Sequence, residues 1–313
     1  MNCPICDSQK NDLLFTLHDD RYGYPGNFPL HQCNQCNHIY INGVFNEKIL
    51  KDLYTNYYPR SSLSLDDWFP SNAAEGFLSW LNGTKCSAYT WVPENVKILD
   101  IGCGFGETLG YHKARGCEVH GVEADENIKR VAEKFGFNVR TGLFNAENYE
   151  KNYFDYVTMD QVIEHVIHPL QTLTEIFSVL KPGGQLIIST PNADSYLAKK
   201  YKKKWMNWHT PYHLNFFSHE SIQIASAKCG YQLKKIVHLT SSEWLLYQKI
   251  HNVVYPPHGK PAQFWSPSAE QSVTISKKIS FLYRMHKLKI NHMITRFLDW
   301  RKKGDNILIF LEK

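Results

Sequence analysis

The sequence predicts an α/β protein whose core is a doubly wound, seven-stranded, mostly parallel sheet, with a small N-terminal zinc module and a helical insertion before the last strand. Three observations predict this fold. From residue 96 onward, apolar strand-like segments alternate with helical segments, which is typical of a parallel sheet with helices on both faces. The first of these strands ends in a glycine-rich loop. Ahead of it, four cysteines near the N-terminus form two C-x-x-C pairs.

Local composition and the spacing of apolar residues predict the individual helices and strands. The helix ENIKRVAEKFG is expected to end at Gly136, because glycine readily adopts the conformation that terminates helices. Residues 46–92 and 273–300 are expected to be largely helical, the latter because apolar residues from Ile275 to Phe297 recur at helical spacing. The predicted strands are, in chain order, VKILDIG, CEVHGVEAD, FNVRTG, FDYVTMDQ, QLIISTPN, the segment after Gly230 and NILIFLEK.

Composition and charge restrict the class of protein. With 313 residues, 43% of them hydrophobic, the chain can bury a large core and is not disordered. The N-terminus lacks an apolar signal segment, and no run approaches the roughly 18 apolar residues of a membrane span, so we expect a cytoplasmic enzyme. The net charge of +5 equals the charge of the lysine run at 199–204, which disfavours nucleic-acid binding over the whole surface.

The paired cysteines indicate a structural zinc site. Cys3 and Cys6 form one C-x-x-C turn, and Cys33 and Cys36 form the other. Four thiolates complete a tetrahedral zinc shell, which leaves no open position for catalysis. Each turn is followed by a residue that tolerates the left-handed conformation, Asp7 or Asn37. The alternatives are two disulfides or a redox pair, both disfavoured in a non-secreted chain. His31 and His38 are near enough in sequence to replace one ligand.

The glycine loop predicts the cofactor. It reads ILDIGCGFGET, with Gly102, Gly104 and Gly106, but the third glycine of a dinucleotide fingerprint is replaced by Glu107. A carboxylate there would repel a pyrophosphate, so the loop suits a cofactor without phosphate. Glu123 ends the next strand, where a carboxylate accepts hydrogen bonds from ribose hydroxyls. A ribose without phosphate and a cationic group near Asp100 together indicate S-adenosylmethionine.

Residues 96–192 resemble the class I S-adenosylmethionine-dependent methyltransferases. The matching segments are ILDIGCGFGE, VHGVEAD, FDYVTMDQVIEHVIHP and LKPGGQLIISTPN, in that order. The resemblance implies a Rossmann-like methyltransferase fold, with glycines along the methionine part of the cofactor and a carboxylate on its ribose. A nicotinamide-dependent oxidoreductase is the alternative for the same loop. The implied cofactor contacts are Asp100, Gly102, Cys103, Gly104, Gly106, Glu123, Ala124, Leu143, Phe144, Asp160 and Gln161.

The cysteine module ahead of this domain resembles that of bacterial sugar methyltransferases. LYTNYYPR is similar to the tyrosine-rich lead-in of that group, which makes Tyr54, Tyr57 and Tyr58 candidates for contacts with cofactor or substrate. The alternative for each tyrosine is a place in an aromatic core. The predicted division of the chain is a zinc module at 1–45, a helical lead-in at 46–95, a methyltransferase core at 96–240, a helical insertion at 241–303 and a final core strand at 304–313.

Three histidines are candidates for the general base that takes a proton from the acceptor. YHLNFFS resembles the stretch that carries the proposed base of the sugar C-methyltransferases, which makes His213 the first candidate; Tyr212, a possible substrate contact, stands where that group has glutamate. His165 is second, with a supporting role in the cofactor loop as its alternative, and His209 is third. Because the sequence ends without that group's additional C-terminal domain, we expect transfer to a sugar hydroxyl rather than to the carbon of a nucleotide-linked ketosugar.

Two basic segments of the sequence are candidate binding sites for anionic partners. The lysine run precedes the histidine segment, so it either binds an anionic acceptor, such as a nucleotide sugar or a lipid-linked phosphate, or is a solvated loop. An RNA methyltransferase is a further alternative. The helix at 273–303 carries nine Lys or Arg residues and one acidic residue, Asp299. It either lies on an anionic membrane surface, packs on its own domain or pairs with a second copy. A catalytically silent cofactor-binding module is the remaining alternative.

Overall fold

A computed structural model describes residues 2–58, 65–265 and 276–313. The strands are β1 (Asn11–Leu17), β2 (Phe28–Cys33), β3 (Ile39–Ile41), β4 (Lys97–Ile101), β5 (Glu118–Glu123), β6 (Asn138–Thr141), β7 (Phe154–Asp160), β8 (Leu180–Pro191), β9 (Asn215–Phe216), β10 (Gln232–His238) and β11 (Asn306–Glu312). The helices are α1 (Glu47–Asp52), α2 (Phe77–Asn82), α3 (Glu107–Ala114), α4 (Ile128–Phe135), α5 (Pro169–Val179), α6 (Tyr196–Tyr201), α7 (His219–Lys228), α8 (Ser242–Val253), α9 (Lys277–Lys287) and α10 (Ile290–Trp300).

The central sheet has seven strands in the order β10-β11-β8-β7-β4-β5-β6. The pairs from β8 through β6 are parallel, and β11 is antiparallel to both of its neighbours. The predicted fold class, a doubly wound and mostly parallel sheet, is therefore confirmed. The chain passes from β4 to β5 and β6 on one side and then returns to β7 on the other. The carboxyl ends of β4 and β7 consequently flank a crevice, the usual position of a ligand site in such sheets.

Both faces of this sheet are buried, because consecutive strand residues point to opposite sides. On β8, Ile187 joins the core on one face and Ile188 joins the core on the other. Leu308 and Ile309 on β11 divide in the same way. This explains why these strands are nearly continuous apolar runs in the sequence.

A second sheet of four strands, in the order β1-β2-β3-β9, is formed largely by the N-terminal segment. Its edge strand β9 comes from the segment that contains the candidate histidines. Ile39 pairs with Phe216 and Tyr40 pairs with Asn215 in an antiparallel register. Backbone pairing thus joins the N-terminal sheet directly to the segment that follows His213.

Helix boundaries agree with the prediction in some places and differ in others. Gly136 follows α4 with a φ of 65°, the left-handed conformation expected for a helix end. The lead-in is less helical than predicted: α1 continues into a single π-helical turn at Leu53–Tyr57, and the described residues 65–76 form no helix. Trp68 of this segment packs on Phe135, whereas Phe69 is 73% exposed, so the aromatic residues do not form one helical face.

The basic insertion is two helices rather than one. The chain reverses between α9 and α10 at Lys289, whose φ is 64°. Ile275 and the start of the predicted helix lie outside the described residues. α10 packs against α8, α9 and α2, and a buried ion pair joins Arg296 to Asp299 at 2.7 Å. Among the described helices, none combines the length and apolar character needed to cross a bilayer.

Candidate active site

The glycine loop lies at the carboxyl end of β4 and leads into α3. Gly102, Gly104 and Gly106 all have positive φ, at 77°, 55° and 78°. A Cβ on Gly102 would lie 2.4 Å from the Val162 side chain, so only glycine fits there. A Cβ on Gly104 would meet no atom within 4 Å, so this glycine faces open space. At that point the wall of the crevice is bare backbone.

Asp100 lies beneath this loop as a fixed acidic group. Its side chain accepts hydrogen bonds from the hydroxyls of Thr158, at 2.7 Å, and Thr108. Burial raises the pKa of the carboxyl to about 6, so it is mainly ionised at pH 7. Asp100 therefore offers a negative charge to the crevice under physiological conditions.

Glu123 lies across from the loop at the end of β5. One carboxylate oxygen accepts the Gly104 N–H and the other accepts the Asp125 N–H, both at 2.9 Å. Burial raises the pKa of Glu123 from its ordinary value. The two backbone donors fix the orientation of the carboxylate against the glycine loop. Each oxygen keeps a further lone pair that a ribose hydroxyl can use.

The other expected cofactor contacts have varied surroundings. Cys103 is buried beneath the loop, whereas Ala124 and Leu143 are exposed. Phe144 is half-buried and stacks on Tyr149 with ring centroids 6.0 Å apart. Asp160 has one buried oxygen without a hydrogen-bond partner among the described residues. The Gln161 side chain is turned to the sheet, where its amide donates to Ser189 at 2.7 Å and Asn306 at 2.9 Å.

An aromatic residue that the sequence analysis did not single out covers the loop. The Trp68 indole N–H donates to the Phe105 carbonyl at 2.9 Å, and its ring stacks on Phe135 with centroids 4.0 Å apart. The segment that follows Trp68 is held down by a backbone hydrogen bond of 2.9 Å from Ser71 to Glu107. No local sequence signal predicts this contact, because it joins the lead-in to α3 across the domain.

A cavity of about 230 Å³ adjoins the carboxyl ends of β7 and β8. It brings together segments that are far apart in sequence, including the N-terminal module, the π-helical turn and the segment between α6 and β9. Its lining includes Arg21, Tyr58, Gln161, His165, Asn207, His209, His213 and Trp244. Gln161 and His209 have φ values of 55° and 36°, a left-handed conformation that is uncommon for such residues and tends to cluster at functional sites.

All three histidines proposed from the sequence lie beside this cavity. The ring centroids of His165 and His213 are 4.6 Å apart, and those of His209 and His213 are 4.9 Å apart. Burial lowers the pKa of His165 to about 4 and holds the pKa values of His209 and His213 well below the usual range. The rings are therefore neutral at pH 7.

Backbone carbonyls determine which ring nitrogen carries the proton. Nδ1 of His165 lies 2.9 Å from the Tyr212 carbonyl, and Nδ1 of His213 lies 2.8 Å from the Asn207 carbonyl. A carbonyl oxygen only accepts, so Nδ1 is the protonated nitrogen in both neutral rings. Nε2 is then left with a lone pair. Both histidines can accept a proton or bind a cation through that atom.

Glu164, adjacent to His165, is a buried residue that the sequence analysis did not select. One carboxylate oxygen accepts the Thr190 hydroxyl at 3.0 Å, and the other is buried without a partner among the described residues. Burial raises the pKa of Glu164 to about 8. One ligand atom each from Glu164, His165 and His213 lie within 4.8 Å of one another, so these residues are spaced for a metal ion.

The candidate tyrosines occupy different positions. The Tyr54 hydroxyl lies 2.8 Å from Nδ1 of His165, and Tyr58 lines the cavity. Tyr57 instead contacts Tyr24, with centroids 4.9 Å apart. Tyr212 is fully buried and stacks on His209 with centroids 4.8 Å apart. It supports the histidine ring and contributes its carbonyl to His165.

Arg21, from the N-terminal module, brings a positive charge to the cavity. Its guanidinium donates to the Met206 carbonyl at 2.5 Å and lies 4.4 Å from the centre of the Trp265 ring. It is only 7% exposed, and among the described residues no carboxylate oxygen lies within 4.0 Å of it. Buried charges are normally paired, so the cavity favours an anionic group near this residue.

The four N-terminal cysteines form a compact cluster. The Sγ atoms of Cys3 and Cys36 are 3.5 Å apart, and those of Cys6 and Cys33 are 3.4 Å apart. Tetrahedral zinc with thiolate bonds of 2.3 Å separates its sulfurs by about 3.8 Å, so the donor set fits this metal. The residues after the two turns, Asp7 and Asn37, have the expected positive φ of 65° and 54°.

Comparisons with known proteins identify the domain. A family model described as a methyltransferase domain matches residues 70–236, just over half of the chain. A ubiquinone biosynthesis O-methyltransferase of Pseudomonas fluorescens strain Pf-5 is 28% identical over 178 residues, covering 51% of this chain and 77% of that protein. The protein of the same name from Pseudomonas putida strain F1 is 29% identical over 182 residues, covering 52% and 78%.

Solved structures of methyltransferases also match. A methyltransferase dependent on S-adenosylmethionine from Archaeoglobus fulgidus is 20% identical, with 72% of this chain and 88% of that one covered and a TM-score of 0.44. An S-adenosylmethionine-dependent methyltransferase from Mesorhizobium loti is 13% identical, with 76% and 99% covered and a TM-score of 0.46.

Proposed function

The chain belongs to the methyltransferase domain family and is an S-adenosylmethionine-dependent methyltransferase. On that premise we propose that it methylates a hydroxyl group of a small or glycan-linked acceptor, and that this acceptor is a sugar. The setting would be cell-surface polysaccharide or nucleotide-sugar metabolism. The observation that carries this proposal is the cavity in which neutral histidines meet aromatic side chains beside the glycine-loop crevice.

The crevice supplies the groups that the cofactor needs. Bound S-adenosylmethionine supplies a methyl group already activated by a positively charged sulfur. Glu123 would accept the ribose hydroxyls, because two backbone N–H groups hold its carboxylate beside Gly104. Asp100 would provide a negative charge near the cationic part of the cofactor. Gly104 leaves space along the backbone for close approach.

If the acceptor is a hydroxyl group, the neutral histidines beside the cavity have a chemical role. A sugar hydroxyl is weakly acidic, so its attack on a methyl group is accelerated when a neighbouring group removes the proton. A well-placed base contributes roughly 10²–10⁴-fold, and alignment of the reacting groups up to about 7–11 kcal/mol. His165 and His213 are neutral at pH 7, and each keeps its proton on Nδ1. Resemblance to sugar methyltransferases places His213 first as the base.

The lining of the cavity supports an acceptor with both a ring face and a negative charge. Tyr58 and Trp244 offer aromatic faces of the kind that stack on sugars. Arg21 would bind an anionic part of the acceptor, such as the diphosphate of a nucleotide sugar or a lipid-linked phosphate. Lys202–Lys204 are exposed and precede the buried Trp205 in the segment that leads to His209, so they could extend this contact.

The relatives favour oxygen as the methylated atom. Their name describes O-methyltransferases of ubiquinone biosynthesis, so a non-sugar small molecule with a hydroxyl is the second candidate acceptor. Carbon methylation of a ketosugar would require a group that stabilises an enolate. An RNA acceptor would predict RNA binding that weakens with salt and on neutralising the lysine run.

We also propose that the cysteine cluster holds a structural zinc ion. The zinc would fix the turns on either side of β1 and β2, and β3 of the same sheet pairs with β9 next to the histidine segment. The module would therefore position the wall of the acceptor cavity and place Arg21 in it.

Two measurements test the proposed function. Calorimetric titration should show saturable binding of S-adenosylmethionine, and stronger binding of a nicotinamide dinucleotide would contradict it. Mass spectrometry of nucleotide sugars and cell-surface glycans from cells with and without the gene should then reveal a 14-dalton difference on one sugar. An unchanged glycan profile together with methylation of a non-sugar hydroxyl would establish the second candidate instead.

A further inference from the structure

Glu164 has a buried oxygen that the proposed base mechanism does not use. The side chain is 1% exposed, and only one of its oxygens is bonded, to the Thr190 hydroxyl. The other oxygen has no hydrogen-bond partner in the described part of the chain. A buried carboxyl oxygen without a hydrogen-bond partner costs free energy, so this atom marks a place where a partner such as a cation can bind.

Two histidine rings lie beside this carboxyl group. His165 and His213 each contribute one atom to a group with Glu164 in which all three ligand atoms lie within 4.8 Å of one another. Both histidines line the acceptor cavity. The three residues come from two segments, one after β7 and one before β9, which only the folded chain brings together.

The surroundings of these residues match those of metal ligands. A histidine that binds a metal typically donates its other N–H to a carbonyl or carboxylate, which fixes the ring. His165 donates from Nδ1 to the Tyr212 carbonyl, and His213 donates from Nδ1 to the Asn207 carbonyl. The second oxygen of Glu164 is held by Thr190. Each of the three residues therefore already makes a hydrogen bond of the kind that orients a metal ligand.

We infer that Glu164, His165 and His213 bind a divalent transition-metal cation whose open coordination positions face the acceptor cavity. Two imidazoles and one carboxylate form a ligand set used for catalytic zinc, iron and related ions. Three protein ligands leave room for at least one oxygen of the acceptor. This site is separate from the four cysteines, which would hold a structural ion with a closed shell.

This inference rests on the proposed hydroxyl methylation and changes the roles of its histidines. The cation would hold the acceptor hydroxyl oxygen and lower the pKa of that hydroxyl, as metals do for bound water. The hydroxyl proton would pass to water in the cavity, because the metal-bound hydroxyl is more acidic. The oxygen forms a bond to the methyl carbon, and the carbon–sulfur bond of the sulfonium breaks to leave a neutral thioether. His213 is then a metal ligand rather than the base.

Manganese distinguishes this site from the cysteine cluster. Mn²⁺ prefers oxygen and nitrogen donors, whereas thiolates favour zinc. The full-length, zinc-loaded protein is titrated with Mn²⁺, and free Mn²⁺ is measured by electron paramagnetic resonance. We expect about one bound Mn²⁺ per chain, with at least tenfold weaker binding in Glu164→Gln and His213→Ala. His168→Ala, which alters an exposed histidine of the same segment, should bind as the wild type does.

Equal Mn²⁺ affinity in the wild type and Glu164→Gln would overturn the inference. Because a substitution at a buried position can disturb folding, the wild type is also tested directly. Anomalous diffraction from crystals soaked in Mn²⁺ should show a peak within bonding distance of Glu164, His165 and His213. A peak elsewhere, or no peak, contradicts the inference without reference to any variant.

Parallel assays separate this inference from the proposed function. S-adenosylmethionine binding and methyl transfer are measured on the same preparations with and without added Mn²⁺. Methyl transfer that does not depend on a divalent cation overturns the metal site and leaves the proposed function intact, with His213 as the base. Specific Mn²⁺ binding at these residues without transfer to any hydroxyl supports the site and contradicts the proposed reaction.

Discussion

At the residue scale, two backbone carbonyls determine what His165 and His213 can do. Each carbonyl holds one Nδ1–H, so the lone pair of each ring is on Nε2. The sequence identified both residues as candidates but could not assign the proton, because the Tyr212 carbonyl is distant in sequence from His165 and the Asn207 carbonyl reaches His213 only through the fold of its loop. The position of a histidine in the sequence indicates possible chemistry, and its hydrogen bonds select the atom that performs it.

Replacing Glu123 should weaken cofactor binding. In Glu123→Ala the ribose loses a charged hydrogen-bond acceptor, and such bonds contribute about 1.5–3 kcal/mol. We expect the Kd of S-adenosylmethionine, measured by calorimetry, to rise roughly 10- to 100-fold. Glu126→Ala, at an exposed position just after β5, is the matched control and should leave the Kd unchanged. An unaltered Kd in Glu123→Ala would show that the ribose lies elsewhere.

Cofactor affinity should depend on pH through Asp100. Burial raises the pKa of this carboxyl to about 6, so it loses its charge as the pH falls below that value. A neutral carboxyl does not attract a cationic ligand. We therefore expect the Kd of S-adenosylmethionine to be nearly constant from pH 7 to 8 and to rise below pH 6, by at most tenfold per pH unit. Calorimetry from pH 5 to 8 measures this, and Asp100→Asn should weaken the dependence.

Arg21 should control the affinity for an anionic acceptor. Arg21→Met keeps an apolar side chain in the cavity but removes the charge and the hydrogen-bond donors. Once the acceptor is known, its KM should rise at least tenfold, while the Kd of S-adenosylmethionine stays unchanged because Arg21 lies in the acceptor cavity. Lys10→Met, at an exposed position of the same module, is the control. An acceptor KM unaffected by Arg21→Met would show that the acceptor has no anionic group at this position.

At the scale of elements, the two-residue strand β9 joins the N-terminal sheet to the histidine segment. It extends the N-terminal sheet through the pairs Ile39–Phe216 and Tyr40–Asn215, and it immediately follows the histidine segment. The Asn215 side chain also lies 3.1 Å from the buried ring of His38. The cysteine module is thus connected to the wall of the acceptor cavity by backbone and side-chain hydrogen bonds.

Loss of one cysteine ligand should impair methyl transfer more than cofactor binding. Cys36→Ser removes a thiolate from the cluster, so bound zinc should fall from about one per chain to well below that. Methyl transfer should fall at least tenfold because β3 and β9 lose their support, while the glycine loop lies in the other sheet and keeps its Kd for S-adenosylmethionine within about threefold. Elemental analysis, activity and calorimetry measure these three results.

Cys86→Ala is the matched control for this experiment, because Cys86 lies far from the cluster in sequence and is not one of its ligands. It should retain zinc and activity. Full activity in a zinc-free Cys36→Ser variant would contradict the proposed link between the module and the cavity.

At the scale of the whole molecule, part of the N-terminal sheet shares a core with the central sheet. Cys3, Cys33 and Tyr40 of the N-terminal module belong to the same buried cluster as Leu99 and Ile188 of the central sheet. The division into a module at 1–45 and a core at 96–240 therefore describes the order of the sequence, while packing joins the two parts. The proposed acceptor cavity lies where they meet, with Arg21 from one and His165 from the other.

Because the core is shared, removal of zinc should destabilise the whole chain. A structural zinc ion contributes folding free energy, and its loss should lower the melting temperature in a single transition that includes the central sheet. Differential scanning calorimetry before and after chelation, with zinc content measured, tests this. Two separate transitions, with the larger one unchanged in temperature, would show that the module unfolds independently.

Local patterns alone determined the doubly wound sheet, the glycine loop and the cysteine pairs, because strand periodicity, glycine conformation and ligand spacing act over a few residues. The class of enzyme also followed from those segments. Tertiary structure decided which residues form the proposed acceptor cavity: Arg21, His165 and His213 are distant in sequence, and only packing of the folded chain brings them together. The tertiary structure also shows that the basic insertion is two helices that meet at Lys289, and that Trp68 covers the glycine loop. Such contacts depend on the free energy of the entire folded chain, which no short segment encodes.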